Sequence, residues 1–149
     1  MTTRGFTAIE VVIVLLILAV LVWIGVPSYQ AYIARSQVVD AVTTVSLISK
    51  DIHNFEVRTG ALPATLADVN YAGRLDPWGR PYVYLNLRTT HGAGARKDKS
   101  LKPINSDFDL YSVGADGVTA ASLNNAASRD DVLRARDGGF YGTAEEFDP

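Results

Sequence analysis

From Val11 to Val26 every residue is apolar or glycine, and one carboxylate, Glu10, stands at the head of that run. The stretch Phe6 to Val26 would extend about 31 Å as a helix at 1.5 Å per residue, which matches the hydrocarbon core of a bilayer. "MTTRG" ahead of it carries one arginine, so the positive-inside rule places the N-terminus in the cytoplasm and the remainder of the chain across the membrane. A Gram-negative inner membrane fits. A carboxylate in hydrocarbon is costly unless it is neutralised or paired, so Glu10 requires a partner.

Three readings of this segment compete. A cleaved secretory signal shares the basic head and apolar stretch, but this run exceeds the usual 7 to 15 residue apolar region of such peptides. A simple single-pass anchor leaves Glu10 without a role. If instead the chain is cut between Gly5 and Phe6, the new α-amine of Phe6 lies about one helical turn from Glu10 and can compensate it, within the subunit or from a neighbouring copy. The positive end of the helix dipole adds to the same effect.

Set aside that segment, and a chain of 149 residues leaves room for one small globular domain. There is no cysteine, which removes disulfides and thiolate chemistry together. The net charge of -2 lies downstream of the apolar run, because Arg4 and Glu10 cancel, so nucleic acid is disfavoured as the main partner.

Pro27 ends the apolar run, where it removes a backbone donor and clashes with the preceding turn; a kink or local melting is expected. Tyr29, Tyr32, Ile33, Val39, Val42, Val45, Ile48, Ile52 and Phe55 then recur at helical spacing, with Gly60 as the stop. "LPATLADV" reads as a short helix or turn, and "DPWG" as a β-turn. "RPYVYLNL" and "DFDLYSVG" alternate between two faces as strands do, with "GGFYGTA" as a weaker third strand or edge. Arg88 to Ser106 carries five basic residues and "HGAGA" without a phosphate-loop ending, and reads as a mobile solvated loop. "YSVGADG" and "SRDD" gather Asp116, Asp130 and Asp131 near turns. Hard oxygens of this kind suit calcium, although the spacing is not that of an EF-hand, and a solvated acidic loop is the other reading.

"RGFTAIEVVIVLLILAVLVWIGVPSYQ" resembles the leader and N-terminal helix of type IV pilins and type II secretion pseudopilins. "DPWGRPYVY", "FDLYSVGADG" and "DDV" follow in the order found in the major pseudopilins of type II secretion, so the likeness covers most of the chain. The fold it implies is α+β: a long kinked N-terminal helix, transmembrane and then amphipathic, on a small antiparallel sheet. It implies a leader over residues 1–5 removed by a prepilin peptidase at Gly5, N-methylation of Phe6, an assembly helix over 6–27 and a periplasmic domain over 28–149. Glu10 would meet the Phe6 amine of an adjacent subunit. Calcium would be held by Asp116, Asp130 and Asp131 with Ser128 and the Val113 carbonyl, although "VTAASLNNAA" lengthens the loop beyond the family's usual size.

The implied function is a filament subunit of type II secretion, a homopolymer with minor pseudopilins, an inner-membrane assembly platform, the peptidase and the membrane as partners. A type IV pilin or minor pilin in adhesion, motility or DNA uptake is the alternative. An enzyme or sensor tethered by one membrane helix belongs to another class. Only His53 and His91 are available to it, neither HExxH nor GxSxG occurs, and paired acids such as Asp107 and Asp109 imitate a dyad but read better as solvated strand-edge residues, so no catalysis is expected.

Overall fold

The computed structural model describes residues 7–148, which form two units, one ending at Ser36 and the other beginning at Gln37. Helix α1, Ala8–Thr59, supplies the first unit and enters the second. It is closed at its start by Thr7 and Glu10: the Thr7 hydroxyl accepts the Glu10 N–H at 3.3 Å, and Glu10 Oε2 accepts the Thr7 N–H at 2.8 Å, the reciprocal pairing of a capping box.

Every described residue up to Ser36 is exposed, including Leu16, Trp23, Tyr29 and Tyr32. The unit therefore has no core of its own, and its helix is long and apolar enough to cross a membrane. α1 runs through Pro27 without a break, so local melting is not what this proline does here. The ring leaves the Trp23 carbonyl without its i+4 donor, and one residue on the Ser28 hydroxyl donates to the Ile24 carbonyl at 3.1 Å.

In the second unit α1 buries Ala41, Val45, Ile48 and Ile52, with Thr44 and Ser49 beside them. The inward stripe is thus rotated from the expected one. Val45, Ile48 and Ile52 lie on it and Phe55 packs at its margin, but Val39 is exposed, because the small residues Ala41, Thr44 and Ser49 let the sheet approach. α1 stops at Gly60, whose φ of +77° suits a residue without Cβ.

After a 3-10 turn at Leu66–Val69 come β1 (Val83–Asn86), β2 (Phe108–Ser112), β3 (Val132–Ala135) and β4 (Phe140–Thr143), an antiparallel meander in chain order. Tyr84 faces Leu110 across β1 and β2, Ser112 faces Val132, and Arg134 faces Tyr141. Helix α2, Ala144–Phe147, ends the described chain. One face of the sheet, through Tyr82, Phe108, Leu110 and Val132, closes the main core with α1. The other carries Leu133 and Ala135 into a second cluster with Ile104, Leu123 and Ala144. β4 is the edge expected from "GGFYGTA".

The connection from β1 to β2 differs from the mobile solvated loop expected there. Ala95, Arg96, Ile104 and Asn105 are buried, and Ile104 near its end is part of the second cluster.

Candidate functional site

Two places carry polar chemistry that the fold alone does not demand. The first is the head of α1. Gly5 and Phe6 lie outside the described residues, so their processing and pairing are not described by the structure. Glu10 is described: Oε2 takes both the N–H and the hydroxyl of Thr7 at 2.8 Å. Among the described residues, its partner is the threonine that caps its own helix.

The second is the region where the two C-terminal motifs meet. Asp76, buried in "DPWG", accepts the N–H of Trp78 at 3.0 Å and of Arg80 at 2.8 Å through Oδ1, which forms the turn. Its Oδ2 accepts the hydroxyl of Ser112 at the end of β2, and Ser112 Oγ accepts the Gly114 N–H at 3.2 Å. Arg80 then reaches across to donate to the carbonyls of Gly114 and Ala115. The two motifs are thereby one hydrogen-bonded structure. Gly114 and Gly117 have φ of +67° and +74°, and a Cβ on either would meet Asp130 or the Arg80 guanidinium at about 2.5 Å.

The expected calcium ligands are not drawn together. The Asp116 N–H donates to Asp130 Oδ2 at 2.9 Å, while Asp116 Oδ1 accepts the Val118 N–H at 2.7 Å. Asp131 is instead fully buried, and its Oδ2 accepts Arg96 Nη2 at 2.6 Å and the Thr119 hydroxyl at 2.6 Å. Ser128 Oγ donates to the Ala120 carbonyl and accepts the Ala120 N–H. No bond from Val113 joins this set. Among the described residues no three acidic or histidine side chains converge as metal ligands would. Calcium takes six to eight oxygens, whereas one oxygen of each of Asp116, Asp130 and Asp131, together with the Ser128 hydroxyl, is held by N–H or O–H donors. The residues do not fit that ion. The physical reason is a guanidinium already placed against Asp131.

Burial pushes the Asp131 carboxyl above its ordinary value, and the Arg96 guanidinium and Thr119 hydroxyl pull against that shift. Asp109 on β2 is pushed up by burial in the same way, opposed by Asn105 and the Arg96 N–H. Asp107 is taken by Arg134 in a two-pronged pair at 2.7 Å. Asp107 and Asp109 are thus each held by their own set of donors. His53 is exposed, 3.8 Å from Glu56.

Arg80, Arg96, Thr119 and Arg134 are the residues that sequence reasoning missed. One signal was present: Asp109, flanked by Phe108 and Leu110 in a strand, needs donors when buried.

An apolar helix that becomes amphipathic and packs on a four-stranded antiparallel meander, with a clamped loop after the second strand, defines a pilin-like subunit. No family model matches the chain, and no solved structure matches it. Among curated proteins it is similar to a fimbrial protein of Neisseria meningitidis, 30% identical over 138 residues that cover 90% of this chain and 80% of the relative. It is also similar to the type II secretion system core protein G of Pseudomonas aeruginosa, 28% identical over 143 residues, covering 82% and 90%. The core protein G of Escherichia coli is 28% identical over 135 residues, covering 76% and 83%. The chain belongs to the type IV pilin-like family, in which fimbrial proteins and the core G pseudopilins meet.

Proposed function

We propose that this chain is the structural subunit of a pseudopilus filament serving type II protein secretion, held before assembly in a bacterial inner membrane with its N-terminus cytoplasmic and its C-terminal domain periplasmic. The observation that carries the proposal is the fully exposed apolar half of α1 with a single carboxylate at its head. Such a surface needs lipid or other copies of itself to cover it. Relatives named as secretion core protein G over most of the chain support the same reading.

A prepilin peptidase removes residues 1–5, and the freed Phe6 amine, N-methylated, then neutralises Glu10 of the neighbouring subunit. A stagger that leaves carboxylate and amine apart strands both charges in a low-dielectric interior, so the pair selects the register of the filament. Minor pseudopilins and an inner-membrane platform complete the assembly. The subunit itself performs no catalysis.

The test is expression with and without a prepilin peptidase, mass spectrometry of the N-terminus, and comparison of the parent with Glu10→Ala. The expected outcome is loss of residues 1–5 in both proteins and filaments from the parent alone. Normal filaments from Glu10→Ala would remove the mechanism. The Neisseria relative, a fimbrial protein covering 90% of this chain, favours a second reading as a pilus subunit. Cells lacking the protein separate the two: lost secretion of exoproteins supports the first, lost surface fibres the second.

A further inference from the structure

Arg96 sits at the meeting point of four chain segments. Its Nη2 pairs with Asp131 Oδ2 at 2.6 Å, and the two side chains are only 2% and 0% exposed. Its Nη1 donates to Thr119 Oγ1 at 2.8 Å, and that hydroxyl donates onward to the same Asp131 oxygen. Its backbone N–H donates to Asp109 Oδ2 at 2.7 Å, while the guanidinium lies 4.2 Å above the ring of Tyr111. One residue therefore ties the β1–β2 connection to β2, to the loop after β2 and to the residue that precedes β3.

We propose that the Arg96 guanidinium is the resident cation of this region, and that the loop from Val113 to Asp131 closes on it without a divalent metal. A buried carboxylate requires a compensating charge. Arg96 provides that charge covalently, so the supply does not depend on the ion content of the surroundings. Of the buried side-chain oxygens in the loop, Asp131 Oδ1 is the one described without a partner, and among the described residues no three acidic or histidine side chains converge where calcium could gather its six to eight oxygens. The backbone is also engaged, since Arg80 holds the Gly114 and Ala115 carbonyls. A dication brought to Asp131 would meet a guanidinium at contact distance and be repelled.

The proposal is independent of the filament reading, because it is measured on the unassembled subunit. Thermal unfolding of the full chain in detergent is followed by circular dichroism in excess chelator and in excess calcium. A metal bound at a hundred times its dissociation constant would separate the two midpoints by roughly 10 °C for a domain of this size. The expected result is coincident midpoints, with no calcium bound in calorimetry. A calcium-dependent rise of that size, or one calcium bound per chain, overturns the proposal.

Arg96→Met and Arg96→Lys provide a second arm. Removing one member of a buried pair should lower the midpoint by about 10 °C or more, while lysine, which keeps charge but not the fork, should lie between methionine and the parent. A methionine variant as stable as the lysine variant would contradict the assigned role. If neither variant folds, the chelator comparison on the parent still decides.

Discussion

Gly114 and Gly117 allow the clamp between the two C-terminal motifs to be dissected with methyl groups. Both have positive φ, so alanine at either position costs about 1 kcal/mol in backbone strain alone. They differ in what the new Cβ meets. At Gly117 the obstacle is the Arg80 guanidinium, 2.5 Å away at Cζ, the end of a flexible side chain. Arg80 can swing aside, but it then gives up its bonds to the Gly114 and Ala115 carbonyls. Charged hydrogen bonds contribute about 1.5 to 3 kcal/mol, and partial solvent access takes the lower end, so Gly117→Ala should cost about 2 to 3 kcal/mol, or roughly 10 °C in midpoint. In an Arg80→Ala background the same change should cost only the backbone part, about 1 kcal/mol. At Gly114 the obstacles include the main-chain oxygen of Asp130 at 2.6 Å, which no side-chain substitution removes. Gly114→Ala should therefore exceed about 4 kcal/mol, and Asp130→Ala should not rescue it. Thermal and urea unfolding of the full chain in detergent measure all five variants. Additive losses for Arg80→Ala and Gly117→Ala within about 0.5 kcal/mol, or a Gly114→Ala protein more stable than Gly117→Ala, would refute the clamp.

Other expectations are simpler. Ile48, fully buried in the main core, should cost about 2 to 5 kcal/mol on truncation to alanine, whereas its half-exposed neighbour Leu47 should cost within about 0.5 kcal/mol, both read from unfolding midpoints. Arg88→Ala breaks the ion pair with Glu56, but Arg88 is 54% exposed, so the same assay should register less than about 1 kcal/mol. Burial, reinforced by the charges of Asp107 and Asp68, pushes the Tyr84 phenol up to about 12, and its hydroxyl donates to the Pro63 carbonyl at 2.9 Å. Because the folded value is raised, the stability tied to Tyr84 is fully present below the ordinary value near pH 10 and is lost as pH rises through about 12. The hydrogen bond to Asp51 raises Tyr71 and burial raises Tyr82 as well, so phenolate absorbance should show a late step shared by several phenols, and Tyr84→Phe should shrink it by one phenol.

The sequence made visible what periodicity and turn chemistry encode. The apolar run, the stop at Gly60, the "DPWG" turn and the two-faced β2 all follow from spacing or from a residue with one conformational use. β3 was invisible for a physical reason. Val132, Leu133, Arg134 and Ala135 are all buried because both faces of that strand are covered, so "VLRA" shows no alternation to read. The basic loop was misread because composition counts charges and does not pair them. Arg96 is one of five basic residues in a polar stretch, and its partner Asp131 lies 35 residues onward. The calcium reading of Asp116, Asp130 and Asp131 likewise came from residue type and left out the donors around each carboxylate. In the fold two of them brace a turn and the third answers an arginine.

The two units obtain their free energy from different sources, and that predicts which changes affect folding and which affect assembly. From Gln37 onward the domain has its own hydrophobic cores and a buried Arg96–Asp131 pair, so its packing is internal to the subunit. Up to Ser36 no described residue is buried, and among the described residues Glu10 meets the threonine that caps its helix. Changes at Arg96, Asp131 or Gly114 should lower the unfolding midpoint whether or not filaments can form. Glu10→Gln should leave that midpoint unchanged while abolishing filaments, because the amide keeps the capping geometry but lacks the charge that selects a neighbour's amine. Circular dichroism of the unassembled subunit and electron microscopy of filaments formed with the prepilin peptidase present read the two outcomes separately. A Glu10→Gln protein that is destabilised as a monomer would mean that the carboxylate serves the subunit's own fold, and the division between folding and assembly would then fail.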